Sequence, residues 1–180
     1  MQFHLSRQPN LIKMKGRRVV VTGIGALTPI GNNLQDYWKA LREGVSGAAS
    51  ITHFNAENFK TQFACEVKDF EVTDFINRKE ARKMDLFSQY AMVASDEAIV
   101  DSALNLDEIN LDRAGVIWGS GIGGMNSFQQ EASDFATGNG IPRYSPFFIP
   151  KLISDIPAGH ISIKYRFRGP NFTTVSACAS

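Results

Sequence analysis

A cysteine framed by small residues, Ser176-Ala177-Cys178-Ala179-Ser180, follows directly on a β-branched run, Phe172 to Val175. At a strand-to-helix junction a thiolate is stabilised by the positive end of the helix, which makes such a cysteine a nucleophile. Alanine neighbours leave room for a carbonyl carbon to reach sulfur and for backbone N–H groups to hold the oxyanion that forms. The same residues also suit a buried packing cysteine, and this stretch alone leaves both readings open. The other thiol, Cys65 in FACEV, reads as packing. His4, His53 and His160 have no metal-like spacing among themselves or with the cysteines.

The glycines come next. VVVTGIGALTPIG invites a dinucleotide reading, which requires G-x-G-x-x-G opening straight into a helix so that free N–H groups face a pyrophosphate. Here Thr28 and Pro29 stand where the third glycine and the helix should begin, so a tight turn leaving a buried strand is preferred. GSGIGG, after AGVIW, has the same defect. Its odd feature is Ile122, a lone bulky side chain in a glycine frame: a plug for a narrow tunnel, or a core residue on a turn. In NRKEARKMD, Arg78, Lys79, Arg82 and Lys83 make i,i+4 basic pairs if helical. Such a run is either a solvated face or a landing site for an acidic partner or a phosphate.

Regular elements must position these groups. Arg17 to Thr22 reads as a buried strand stopping at Gly23. Asn32 and Asn33 can cap a helix through LQDYWKALREG, with Leu34, Trp38 and Leu41 on one face and Gly44 as its stop. Phe63 to Val67 reads as a short strand, Met84 to Leu104 as the longest helix, and its alanines predict close packing. Ala114 to Trp118 reads as a buried strand and Met125 to Ala136 as a helix. Pro142 to Pro150 reads as an aromatic loop, Ile153 to Tyr165 as a helix interrupted at Pro157-Ala158-Gly159, and Phe172 to Val175 as the last strand. This alternation predicts an α/β layered domain with a largely buried sheet.

Bulk properties narrow the options. The chain has 180 residues, 43% of them hydrophobic, and a net charge of +1. No general basic field therefore invites nucleic acid. No segment is long and apolar enough to span a membrane, and a reduced, cytoplasmic protein with free thiols is the simplest expectation. Residues 1–16 are basic, acid-poor and without periodicity. They read as a disordered extension, with Met14 as a possible true start, and residues 17–180 as the folded unit.

Taken in order, RRVVVTGIGALTPIGNN, RKEARKMD, GSGIGG, SPFFIP, AGHISIKY, RGPN and VSACAS resemble the β-ketoacyl-[acyl carrier protein] synthases of fatty-acid elongation, which have the thiolase-like fold. GSGIGG looks like the longer-chain type, synthase II, and the presence of Cys178 argues against a silent chain-length-factor homologue. The resemblance implies that Cys178 accepts the acyl group, with its own N–H as half of the oxyanion hole, and that Ile122 gates the acyl tunnel. It implies that Phe148 and Ile149 reach toward a twofold-related acyl pocket in a homodimer. Lys79, Arg82 and Lys83 would meet an acidic acyl carrier protein, with Arg143 a weaker candidate. No metal and no resident cofactor are implied, since phosphopantetheine arrives on the carrier protein, and neither nucleic acid nor a membrane is expected as a partner. Polyketide-type ketosynthases share this chemistry, and a non-catalytic carrier-binding fragment is the rival of another class.

The resemblance covers the N-terminal half of such an enzyme and stops just after the nucleophile. Family members are more than twice as long, and their malonyl-decarboxylating histidines and lysine match none of His4, His53 or His160. The 180 residues alone are therefore expected to give no β-ketoacyl product in a radiolabelled malonyl-carrier assay, whereas the same chain joined to a C-terminal half is active. Carbon dioxide release by the short chain above a Cys178→Ala control contradicts that expectation.

Overall fold

The computed structural model describes residues 17–138, 141 and 143–180. The extension expected at residues 1–16 lies outside that range. Helix α1 spans Leu34–Glu43, and helix α2 is a single turn, Arg78–Ala81. Helix α3, Leu86–Asp101, is the longest; α4 is Met125–Thr137, α5 Phe148–Leu152 and α6 Ile156–Tyr165. Strands β1 (Ala49–Ser50) and β2 (Phe63–Ala64) pair antiparallel, and β3 (Val116–Gly119) and β4 (Asn171–Thr174) pair parallel in a separate sheet.

Helix α3 starts where the Asp85 carboxylate accepts a hydrogen bond from the Phe87 N–H. Its small residues admit another backbone at very short range. A Cβ on Gly23 would lie 2.2 Å from the Ala98 carbonyl oxygen, and one on Gly25 would lie 1.9 Å from that of Ala94. The TGIG segment is thus laid directly on α3, and its amides are taken by acids of that helix. Ile24 N–H donates to Asp101 Oδ2 at 2.9 Å and Ala26 N–H to Glu97 Oε2 at 2.8 Å. Leu34 N–H, at the start of α1, donates to Glu97 Oε1 at 2.7 Å. The anions facing this glycine turn are the protein's own carboxylates, which removes the dinucleotide reading.

Helix α1 has its expected caps. The Asn33 side chain accepts from Asp36 N–H, and Gly44 turns left-handed at φ 67°. An amide oxygen at the first end and a residue without Cβ at the last are what those positions favour. The apolar face of α1 does not point inward, however. Ala40 is buried while Trp38 and Leu41 are exposed. Helix α6 packs on α3, where the Tyr165 hydroxyl donates to Asp96 at 2.6 Å and Lys164 forms an ion pair with the same carboxylate. Burial pushes the Tyr165 hydroxyl well above its ordinary pKa, and the bond to Asp96 adds to the effect. The core between these layers contains Ile76, Met84, Met92, Val93, Val116, Ala158 and Ile161.

Several expectations are corrected. Arg17 to Thr22 forms no strand, and Val19, Val20 and Val21 are exposed. No ladder partner takes their backbone groups among the described residues, and a strand cannot form without one. The β3–β4 sheet is not buried on both faces. Successive side chains of a strand point to opposite faces. Helix α6 covers the side of Val116, whereas Ile117 and Phe172 on the other side are 69% and 47% exposed. The strand expected over Phe63 to Val67 is only the β2 pair with β1. The interruption expected in α6 does not occur, since Pro157 sits in the first turn, where its missing N–H costs nothing. Pro150, expected to close a loop, lies within α5.

Glu97→Ala leaves the Ala26 and Leu34 amides without their acceptor and is expected to cost about 2 kcal/mol, read from urea unfolding. Glu97→Gln, which keeps an acceptor, is expected to cost less; equal stability of wild type and Glu97→Ala would refute the clamp.

Candidate active site

Strand β4 delivers the chain into a tight 3-10 turn, Ala177–Ala179, that carries Cys178. Three hydrogen bonds close it: Ser176 N–H to Ser180 Oγ at 2.7 Å, Ser180 O–H to the Ala177 carbonyl at 2.8 Å, and Ala179 N–H to the Ser176 carbonyl at 3.0 Å. Ala177 holds φ 50°, in the left-handed region. A residue with a Cβ resists that conformation at a cost of about 1–2 kcal/mol. Cys178 therefore stands on the crest of a strained turn, exposed, and its N–H has no hydrogen-bond partner among the described residues. Nothing among those residues packs the thiol away, as the buried alternative would require.

The GSGIGG loop faces this turn, and its glycines divide between two neighbours. A Cβ on Gly119 would come 2.9 Å from the Ser180 carbonyl carbon, and one on Gly121 would come 3.2 Å from the Ala177 oxygen. On the other side a Cβ on Gly123 would come 1.7 Å from the Leu152 carbonyl oxygen, and one on Gly124 would come 2.1 Å from that of Lys151. Between the pairs stands Ile122, 63% exposed, with its carbonyl held by the Ser120 hydroxyl at 2.8 Å. Ile122 is not a core residue. The same loop thus joins the turn of Cys178 to the end of α5, which carries Phe148 and Ile149. Phe148 is half-buried in an aromatic row with Phe128 and Tyr144, and Ile149 is exposed.

Asp85 supports this junction and was not singled out by the residue pattern. It is 5% exposed, caps α3, and accepts from Ser127 N–H in the first turn of α4 at 2.9 Å. The signal was an aspartate directly before an apolar helical run, hidden because the helix was expected to begin at Met84.

The basic residues occupy α2 and the turn after it. Arg78, Lys79 and Arg82 are exposed, whereas Lys83 is half-buried and pairs with Glu80 at 2.7 Å. Arg143 lies in the segment between α4 and α5, lining a cavity of about 410 Å³ with Glu131, Phe135 and Tyr144. Cys65 is exposed just past β2, not packed, and lines a cavity of about 350 Å³ with His53, Glu66 and Tyr90. The Glu66 carboxyl is held below its ordinary pKa by the hydroxyl of Thr52 and the amides of Thr52 and His53. No cluster suited to a metal ion occurs among the described residues, and no helix among them is long and apolar enough to cross a membrane.

A family model described as "Beta-ketoacyl synthase, N-terminal domain" matches residues 16–180. Among curated relatives, 3-oxoacyl-[acyl-carrier-protein] synthase 2 of Vibrio harveyi is 47% identical over 167 residues, 93% of this chain and 40% of the relative. The protein of the same name from Synechocystis sp. is 45% identical over 170 residues, 94% of this chain and 41% of the relative. The chain thus spans about 40% of the length of these relatives. Among solved structures, the ishigamide ketosynthase/chain length factor superposes with TM-score 0.80 at 28% identity, covering 88% of this chain and 40% of that one. A type II polyketide ketosynthase solved with its acyl-carrier protein and bound to a hexaketide gives TM-score 0.68 at 26% identity, covering 85% and 41%.

Gly123→Ala must push α5 away from the loop and is expected to destabilise the protein by about 1–3 kcal/mol. Ile122→Phe, at an exposed site, is expected to stay within about 0.5 kcal/mol of wild type in the same urea titration. A large loss from Ile122→Phe would return that residue to the core.

Proposed function

The chain belongs to the β-ketoacyl synthase family through its N-terminal domain, and on that premise we propose that the protein elongates fatty acyl chains by decarboxylative Claisen condensation. The observation that carries this reading is Cys178 itself, exposed on a left-handed turn at the end of β4, with an N–H unpaired among the described residues and a glycine loop in front of it. The Cys178 thiolate attacks the carbonyl carbon of an acyl-carrier thioester, and the Cys178 N–H steadies the oxyanion. The C–S bond to the carrier breaks, and the carrier's phosphopantetheine leaves as a thiolate that takes up the proton Cys178 gave up on ionising. Malonyl-carrier then loses carbon dioxide, and its carbanion attacks the acyl-cysteine carbonyl. A C–C bond forms, the Cys178 thiolate is released, and the β-ketoacyl product is two carbons longer. The sulfur and the substrates supply all the electrons, so no metal or resident cofactor is invoked.

Ile122, on the loop between the Cys178 turn and α5, is the gate of the acyl tunnel in this reading. Phe148 and Ile149 serve the acyl pocket, and the exposure of Ile149 suits a contact with a second copy in a homodimer. Lys79 and Arg82 form no ion pairs among the described residues and are the stronger candidates for meeting the acidic carrier protein; Lys83 is already engaged by Glu80. A cytoplasmic protein with reduced thiols fits this chemistry. The polyketide ketosynthase likeness favours a second reading with the same acyl transfer, but the curated relatives of higher identity support fatty-acid elongation.

With the full-length protein, acyl-carrier and malonyl-carrier substrates are expected to give a single two-carbon extension, and Cys178→Ala to abolish it. Repeated extension would favour the polyketide reading, and product from Cys178→Ala would overturn the role of the thiol. Reversing Lys79 and Arg82 to Glu is expected to raise KM for carrier-bound substrate about tenfold at low salt, and less at high salt. Turnover of a small thioester mimic should be unchanged; an equal loss on both substrates would assign the cluster to the fold.

A further inference from the structure

Away from Cys178, the short segment that contains α2 is anchored in the core by Ile76, Ala81 and Met84, which share one cluster with Ala158 and Ile161 of α6. His160 of α6 faces this segment across a cavity of about 320 Å³ that Asn77, Glu80 and Met84 also line. Its Nε2 has essentially no accessible surface and no hydrogen-bond partner among the described residues. While the contact is closed, therefore, neither water nor another molecule reaches that nitrogen. The charged groups around the ring are already engaged. Glu80 on α2 holds Lys83, in the turn after it, at 2.7 Å. Lys164, one turn further along α6, pairs with Asp96 of α3. Burial pushes the imidazole below its ordinary pKa, Glu80 opposing and Lys83 reinforcing the effect, so the ring is neutral at pH 7.

We propose that His160 is a proton-sensitive latch: neutral, it lets α2 close on α6, and protonated, it releases α2. Together with the reading above, in which Lys79 and Arg82 meet the carrier protein, this makes carrier docking weaken in acid. An imidazolium donates from both nitrogens, and the closed contact offers Nε2 no acceptor. A buried charge left without a partner is costly, so the protonated ring must reach water. The neighbour that gives way is α2. A helix of one turn does not hold its own shape, whereas α6 has ten residues and packs on α3, β3 and β4. With the contact open, the ring titrates near its ordinary pKa of about 6.5; with it closed, it titrates lower. The closed contact is thus at full strength above pH 6.5 and weakens as the pH falls toward the closed-state pKa. One proton shifts the opening equilibrium by up to about tenfold per pH unit in that window.

The test is amide hydrogen exchange of the full-length protein, followed by NMR at Ala81, Arg82 and Met84, whose N–H groups donate to the carbonyls of Asn77, Arg78 and Ala81. Between pH 7.5 and 5.5 their protection factors are expected to fall about five- to tenfold. His160→Phe, which keeps a ring of similar size and removes the titrating nitrogen, is expected to show no such fall. At pH 5.5 the three amides are expected to be less protected than that of Met92 in α3; equal protection would mean that the whole fold opens, and would overturn the latch. The same fall in His160→Phe, or a His160 ring titrating at its ordinary pKa or above, would also overturn it. Should His160→Phe fail to fold, the ring titration of the unaltered protein still decides. The KM for carrier-bound substrate is expected to rise from pH 7.5 to 5.5 in the unaltered protein and not in His160→Phe, with a small thioester mimic unaffected. A level KM beside the fall in protection would overturn the weakening of docking. Absence of turnover at pH 7.5 would instead contradict the condensing activity and leave the latch to the exchange data.

Discussion

The acidic side chains of one helix hold most of this structure in register. Along α3 and its cap, Asp85, Asp96, Glu97 and Asp101 reach four different neighbours: the start of α4, the end of α6, the approach to α1, and the TGIG turn. A carboxylate accepting a backbone N–H is worth about 1.5–3 kcal/mol, roughly twice a neutral hydrogen bond. The bonds of Glu97 and Asp101 can form only because Gly23 and Gly25 let the backbone settle against α3 with no Cβ in the way. Without that approach the carboxylates would lie out of reach, and α1 would lose its contact with α3 through Glu97.

The same logic of missing Cβ atoms builds the candidate active site. Gly119 and Gly121 admit the Cys178 turn on one side of a loop, and Gly123 and Gly124 admit α5 on the other, leaving Ile122 projecting between them. The strain at Ala177 is sustained by the hydrogen bonds that surround it, Ser176 to Ser180 and Ser180 back to Ala177. The turn presents sulfur together with an N–H that has no partner among the described residues, which is the pairing that acyl transfer to a thiol requires.

Local chemistry was the most legible part of the sequence. Asn33 and Gly44 bounded α1 because capping depends on a few adjacent residues, and the parallel pairing of β3 and β4 agrees with their reading as strands separated by helices. The order of motifs was enough to identify the family and its thiolase-like α/β fold. Burial was read poorly. Val19 to Val21, Ile117 and Trp38 carry apolar side chains suited to a core, yet all are exposed. Hydrophobicity says what a residue prefers and not which neighbour covers it. Cys65 was misread for the same reason. The close approach of GSGIGG to two separate elements, the left-handed φ at Ala177 and the second hydrogen bond of Asp85 are tertiary facts with no local pattern to announce them.

The claim on which the functional reading turns is that Cys178, and not Cys65, receives the acyl group. Both thiols are exposed, so the distinction rests on the turn and loop around Cys178. Intact-mass measurement of the full-length protein after incubation with an acyl-carrier thioester, followed by peptide mapping, tests this directly. The expected result is one acyl group per chain, on the peptide containing Cys178, and none with Cys178→Ala. An adduct on Cys65, or a mass gain that persists in Cys178→Ala, would contradict it.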